Sequence, residues 1–106
     1  MGNEVSVTAL AAELNAGRSL VLLDVREADE LALCALDGVV HIPVDEVEER
    51  LGELDPSSDI VVVCRSGARS RRITHLLQGK GFASVRNMTG GMNAWATEVD
   101  PSLPTY

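Results

Sequence analysis

The sequence predicts a small three-layer α/β domain in which a mainly parallel central sheet is flanked by helices. Three observations carry this. Two continuous apolar runs, Leu20–Leu23 closed by Asp24 and Ile60–Val63 followed by Cys64, read as strands buried on both faces. Segments with helical spacing of apolar residues lie between and after them. Strands alternating with helices favour a parallel sheet over hairpins. A length of 106 residues suits one domain, expected here as residues 1–106.

The elements follow in order. In "TALAAELNAG" Leu10 and Leu14 stand four apart, Thr8 offers an N-cap and Gly17 a stop, so a short helix is predicted. Leu20–Asp24 is the first buried strand. "READELALCAL" is helix-permissive until Gly38 breaks it. "VVHI" then makes a short strand that Pro43 ends. "VDEVEERLGEL" spaces Val44, Val47, Leu51 and Leu54 on one helical face with acids on the other. "DPSSD" is a turn, and Ile60–Val63 is the next strand. A helix beginning near Ser70 follows, with Ile73, Leu76 and Leu77 on one face and Gly79 and Gly81 as C-terminal signals. "SVRNM" is the last strand, "GGMNAWAT" a short final helix carrying Met92 and Trp95, and the tail with Pro101 and Pro104 is irregular.

The composition, 45% apolar and 24% charged, is that of a soluble globular chain. No apolar run reaches the length of a bilayer span, and "MGNEVSVTAL" lacks the plan of a secretory signal. "MGNEVS" loosely resembles a myristoylation motif through Gly2 and Ser6, but the match is too short to carry weight. Two cysteines, Cys34 and Cys64, make neither a disulfide framework nor a zinc site, and a reducing, cytoplasmic setting is expected. No spacing suggests a metal or an organic cofactor.

Charge is unevenly placed. The net charge is −7, yet between Ile60 and Thr97 there is no acid, while Arg65, Arg69, Arg71, Arg72, Lys80 and Arg86 all fall there. One basic third on an acidic body argues for a local anion site and against a nucleic-acid binder.

Cys64 stands at a strand end, before a glycine-containing cationic loop that opens a helix. Loop amides turned inward, the positive end of the helix dipole, and Arg65 and Arg69 would together stabilise a thiolate and lower its pKa. Gly67 allows a backbone conformation that a side chain resists, and Ser66 and Ser70 add hydroxyl donors. Such a bowl suits an anion on sulfur: a thiolate, a persulfide, or a phosphoryl or arsenate adduct. The reading requires amides that face the sulfur and an opening above it. Cys34, among apolar neighbours in "LALCAL", is expected to fill core, with a resolving thiol as the minority alternative.

The loop is similar to that of cysteine phosphatases, which place an arginine after five intervening residues. Position 70 is serine here, and no aspartate acid stands in the loop. The chain as a whole resembles a single-domain rhodanese, a sulfurtransferase. The stretches that carry this are "LLDVRE", "DGVVHIPVDEVEERL", "VVVCRSGARS" and "LLQGKGFASVRNMTGGMNAW", in the family's order from about Leu20 to Trp95. The resemblance implies a small parallel-sheet α/β domain and a two-step reaction. Sulfane sulfur passes from thiosulfate or a protein persulfide onto Cys64, then to cyanide, a thiol or a protein acceptor. It implies a cradle of Arg65, Ser66, Gly67, Ala68, Arg69 and Ser70, acting mostly through backbone N–H groups. Arg69 would position an anionic donor, and Asp24 with Arg26 would form a structural and rim pair. The covalent persulfide takes the place of a cofactor. Ala35 and Asp37 depart from the histidine and proline common there, which puts local packing, not chemistry, in question. His41 and His75 have no assigned role, and His75 is expected at the surface.

The tail "AWATEVDPSLPTY" resembles the ending of rhodanese domains fused to adenylating enzymes that activate ubiquitin-like sulfur carriers. This implies a standalone relative or an excised piece of such an enzyme. Its partners would be a cysteine desulfurase, an adenylating enzyme or a ubiquitin-like carrier, with no nucleic acid and no membrane, and the chain is expected to be a monomer. A non-enzymatic docking and sulfur-delivery module on the same fold is the alternative, with a phosphatase or arsenate reductase a further one.

Overall fold

The computed structural model describes residues 3–106; Met1 and Gly2, and with Gly2 the myristoylation-like motif, lie outside the described residues. The sheet is built from β1 (Glu4–Val5), β2 (Val21–Asp24), β3 (Val40–His41), β4 (Asp59–Val63) and β5 (Ser84–Met88). Its order is β1-β5-β4-β2-β3, and every neighbouring pair is parallel. Four α-helices accompany it: α1 (Val7–Asn15), α2 (Ala28–Leu33), α3 (Ala68–Gly79) and α4 (Gly91–Glu98).

The period of two along a strand sorts the core into two halves. On one face Leu23, Ile60, Val62 and Cys64 pack with Ile73 and Leu77 of α3 and with Val47, Leu54 and Phe82. On the other, Leu22, Val61 and Val63 meet Leu10 of α1 and Met92 and Trp95 of α4. That is why β2 and β4 lack alternation: both of their faces are covered. Because the strands are parallel, the ends of β2 and β4 lie on one edge. Asp24 pairs in register with Val63 there, and the N–H of Val25 reaches the carbonyl of Val63 at 3.0 Å.

Several details differ from the sequence expectation. Ser6, not Thr8, caps α1, with Oγ accepting from the Ala9 N–H at 3.1 Å. β1 exists because Asn3 and Val5 carbonyls complete the ladder of β5, accepting from Asn87 and Thr89 N–H groups. The predicted helix over 44–54 is a pair of 3-10 segments, Val44–Glu46 and Glu48–Glu53, with Arg50 off helical geometry at φ −111°. The Val44 N–H is tied to the Val25 carbonyl at 2.9 Å while Val47 and Leu54 must both reach the core. 3-10 turns rise further per residue than α-helical ones, and the break at Arg50 separates the two segments. α3 begins at Ala68, so Arg69 and Ser70 belong to its first turn rather than to a loop before it. His75 is exposed as expected, and His41 Nε2–H donates to the Arg26 carbonyl at 2.7 Å.

Candidate active site

The site is made by the reversal from β4 into α3. Gly67 takes φ +105° as the N-cap of α3, a region that L side chains rarely enter. A Cβ there would also lie 3.2 Å from the Gly90 nitrogen. The start of α4 presses on the same turn from behind. Met92 N–H donates to the Cys64 carbonyl at 2.9 Å, and Asn93 N–H to the Arg65 carbonyl at 3.1 Å. A planar trans peptide points its N–H opposite to its C=O. Drawing the Arg65 carbonyl toward α4 therefore turns the Ser66 N–H the other way, toward the sulfur, while the left-handed Gly67 and the first turn of α3 bring in the donors that follow.

The result is a ring of donors on Cys64 Sγ. Gly67 N–H stands at 3.1 Å and Ser70 N–H at 3.4 Å. Ser70 Oγ lies 3.2 Å from Sγ and also bonds to Asn87 Oδ1. The hydroxyl has one hydrogen and two acceptors. A protonated thiol donates to Oγ while the hydroxyl serves Asn87; an ionised sulfur takes the hydroxyl hydrogen for itself. Burial pushes the Cys64 thiol up, but the bonds from Ser70 Oγ and from the N–H groups of Ser70, Gly67 and Ser66 outweigh it, and the net shift is downward. The sequence reading credited loop amides, the helix dipole, Arg65 and Arg69 together; the favourable causes found here are the neutral N–H and O–H donors.

The arginines are occupied otherwise. Arg69 forms a two-pronged pair with Glu30 of α2, Nη1–Oε1 at 2.7 Å and Nη2–Oε2 at 2.8 Å. Arg69 holds the Glu30 carboxyl down at about 2 against the cost of its burial, with the Glu27 N–H and the Tyr106 hydroxyl assisting. To position an anionic donor, as the resemblance implies, Arg69 would have to leave Glu30. Arg65 and Ser66 are exposed, as is Ala68, and the Arg65 guanidinium lies over the Tyr106 ring, 5.2 Å from its centre.

Asp24 and Arg26 are fully buried, not at the rim as expected. Their pair closes at 2.8 Å. Arg26 also donates to the Cys34 carbonyl at 2.8 Å, to the Tyr106 hydroxyl at 2.8 Å and to the Glu30 carbonyl at 3.3 Å. Every donor of a buried guanidinium needs a partner, and these bonds knit β2, α2 and the tail together beneath the site. Cys34 is buried core as predicted; both cysteines are free.

Of the two requirements set by the sequence reading, the amides do face the sulfur. The opening is not met in this conformation: Cys64 is only 1% exposed. Two clefts among the described residues lie elsewhere, one between Leu14, Leu36 and Trp95, the other between Val44, Arg72 and Leu76. No cluster of three or more His, Cys, Asp and Glu is placed to hold a metal among the described residues. None of the helices described is long and apolar enough to cross a membrane.

Sequence reasoning missed Glu30, Asn87, Asn93 and Tyr106. Glu30 had a local signal: three residues after Glu27 at the start of a helical segment, its carboxylate can reach back to accept from the Glu27 N–H. Tyr106 had none: its partners Arg26 and Glu30 lie 80 and 76 residues away.

The chain is similar to known proteins along most of its length. The rhodanese-like domain family matches residues 6–98. The putative sulfurtransferase YtwF of Bacillus subtilis is 39% identical over 98 residues, covering 92% of this chain and 94% of that protein. The putative sulfur carrier protein YrkF of the same organism is 37% identical over 97 residues, but the chain spans only 52% of it. The adenylyltransferase and sulfurtransferase MOCS3-2 of Zea mays is 38% identical over 97 residues, and the match covers 85% of this chain and 20% of that protein. The structure of the human single-domain sulfurtransferase TSTD1 superposes with a TM-score of 0.80 at 27% identity, over 92% of this chain and 98% of that one.

Proposed function

This chain belongs to the rhodanese-like family, and we propose that residues 1–106 act as one sulfurtransferase unit in which Cys64 carries the sulfur. The thiolate attacks the sulfane sulfur of the donor. The donor's S–S bond breaks and its electron pair leaves with the departing group, which for thiosulfate is sulfite. Cys64 becomes a persulfide. An acceptor thiolate, or cyanide, then attacks the outer sulfur, and the electrons of that S–S bond return to Sγ. No external oxidant or reductant is consumed.

The observation that carries this reading is the convergence of Gly67 N–H, Ser70 N–H and Ser70 Oγ on one sulfur atom. The same donors hold negative charge on the thiolate before transfer and steady the inner sulfur afterwards. Arg65, Ser66, Gly67, Ala68, Arg69 and Ser70 make the cradle through their backbone, Arg65 offers the exposed cation, and Asp24 with Arg26 forms the floor. The outer sulfur of a persulfide stands about 2 Å beyond Sγ, nearer to the exposed residues of the turn. Rim side chains must still part for a donor to reach Cys64.

Thiosulfate and a protein persulfide, such as that of a cysteine desulfurase, are the donors of this proposal. The likeness to MOCS3-2, named both adenylyltransferase and sulfurtransferase, supports a ubiquitin-like sulfur carrier and its adenylating enzyme as partners. The test is intact-protein mass spectrometry after exposure to thiosulfate and, separately, to a cysteine desulfurase with cysteine. The wild type gains one sulfur atom, released by cyanide or reductant, and Cys64→Ser gains none. No gain with either donor, or a gain that survives Cys64→Ser, would refute the assignment and favour a docking module.

A further inference from the structure

The Cys64 turn is flanked by two guanidinium groups, and only one is left free to meet an anion. Arg69 directly precedes Ser70, whose N–H and hydroxyl touch the sulfur, so its charge is close enough for the Cys64 thiolate to favour it. That charge is cancelled by Glu30, whose two oxygens face the two terminal nitrogens of Arg69. Glu30 is held from three other directions. The Tyr106 hydroxyl donates to Oε2 at 2.9 Å, the Glu27 N–H donates to Oε1 at 2.9 Å, and its own place in the first turn of α2 fixes its backbone. Its side chain is 16% exposed. An incoming small anion would have to break a two-pronged pair to use Arg69, leaving a carboxylate stranded beside it. Arg65 has no carboxylate partner among the described residues and rests on an aromatic ring.

We propose that Glu30 is a specificity-determining residue that withholds Arg69 from small dianionic sulfur donors and so biases Cys64 toward persulfides presented on larger molecules. This rests on the sulfurtransferase reading of Cys64 and deepens it. Glu30 touches neither sulfur nor donor; it acts through Arg69, as a positioning and charge-cancelling group. Thiosulfate, a dianion, gains from every uncancelled positive charge at the rim and loses from every negative one. A protein persulfide docks through a surface and depends less on one charge.

The test is the substitution Glu30→Gln, which keeps the shape and an oxygen for the hydrogen bonds from Arg69 and Glu27 but removes the charge. Removing one negative charge near a dianion at a solvent-screened rim should raise kcat/KM for thiosulfate by about fivefold to tenfold, through KM rather than kcat. A second measurement needs no turnover. Iodoacetate and iodoacetamide alkylate the same thiolate and differ mainly in charge, so their rate ratio reports the potential at Cys64 independently of its ionised fraction. That ratio rises in Glu30→Gln, falls in Arg69→Gln, and returns near the wild-type value in the double variant, with differences that shrink in high salt. An unchanged ratio in Glu30→Gln, or a double variant that does not revert, overturns the inference. If wild-type Cys64 takes no sulfur from any donor, the sulfurtransferase reading fails, while the alkylation ratios still judge Glu30 on their own.

Discussion

Replacing Gly91 by alanine tests whether the packing of α4 against the turn shapes the donor ring around Cys64. Gly91 has φ +61°, and a Cβ there would lie 2.4 Å from the carbonyl carbon and oxygen of Arg65 and 2.5 Å from the Cys64 oxygen. These are backbone atoms of the turn itself, so no side chain can swing aside. The left-handed conformation costs an alanine about 1–2 kcal/mol, and forcing atoms into a filled space typically costs about 1–3 kcal/mol. If α4 withdraws to relieve the clash, the Met92 and Asn93 bonds to the Cys64 and Arg65 carbonyls are lost at about 1 kcal/mol each. The expected total is about 2–5 kcal/mol. Gly17→Ala is the internal control: φ is +80° but nothing lies within 4 Å, so only the conformational cost of about 1–2 kcal/mol applies. Urea denaturation of both variants reads the difference from the midpoints at constant slope. The thiolate should weaken in step, visible as an alkylation profile moved to higher pH in Gly91→Ala alone. Two variants that agree within about 0.5 kcal/mol, with unshifted thiol profiles, would refute the idea that packing against α4 shapes the site.

Other outcomes follow from the same geometry. Ser70→Ala removes a donor to Sγ and orphans Asn87 Oδ1, so the Cys64 thiol pKa rises, measured from alkylation rate against pH; an unmoved pKa contradicts the dipole account. Arg26→Met leaves the fully buried Asp24 without its partner and should cost about 3–5 kcal/mol in urea denaturation; a loss below about 1 kcal/mol would refute the view that this pair sustains the buried charge. The Glu30 carboxyl sits at about 2 in the fold against an ordinary 4.5. Being depressed, its contribution to stability is complete above the ordinary value and lost as the pH falls toward 2. Glu30→Gln should therefore flatten the acid limb of the stability curve in that window. Raising salt to about 1 M should leave the Cys64 pKa almost unmoved, because screening acts on separated charges and not on hydrogen bonds made at contact.

What could be read in the sequence was whatever is written locally. The strand ending at Cys64 shows itself as a run of β-branched residues, α3 through Ile73, Leu76 and Leu77, and β5 through a five-residue segment found as expected at Ser84–Met88. The turn around Gly67 was legible because one glycine, one cysteine and two serines in a short span carry strong local constraints. β1 was not, since two residues have no periodicity and become a strand only by pairing with Asn87 and Met88. The 3-10 pair was misread as an α-helix because an amphipathic pattern records which residues face the core and not how far apart their anchor points lie. The identity of each arginine's partner was beyond reach for the same reason. Glu13 meets Arg86 and Glu4 faces Arg71 across most of the chain length, and no window of residues contains both members.

The uneven charge pattern therefore has a different meaning in three dimensions. The basic third looked like an anion site on an acidic body. In the fold, acids from β1, α1, α2 and the 3-10 segment return to meet Arg71, Arg86, Arg69 and Lys80. A cysteine whose charge rested on free arginines would attract any anion, and its reactivity would follow the salt concentration. A cysteine held by N–H and O–H dipoles at 3.1–3.4 Å keeps its thiolate through contact geometry, which a filled cavity preserves and an open one does not. Burial raises the cost of the charge and strengthens each hydrogen bond to it, so the site gains only while the donor ring stays complete. Gly67 supplies one donor of that ring, and Gly91 lets α4 close against the turn from behind.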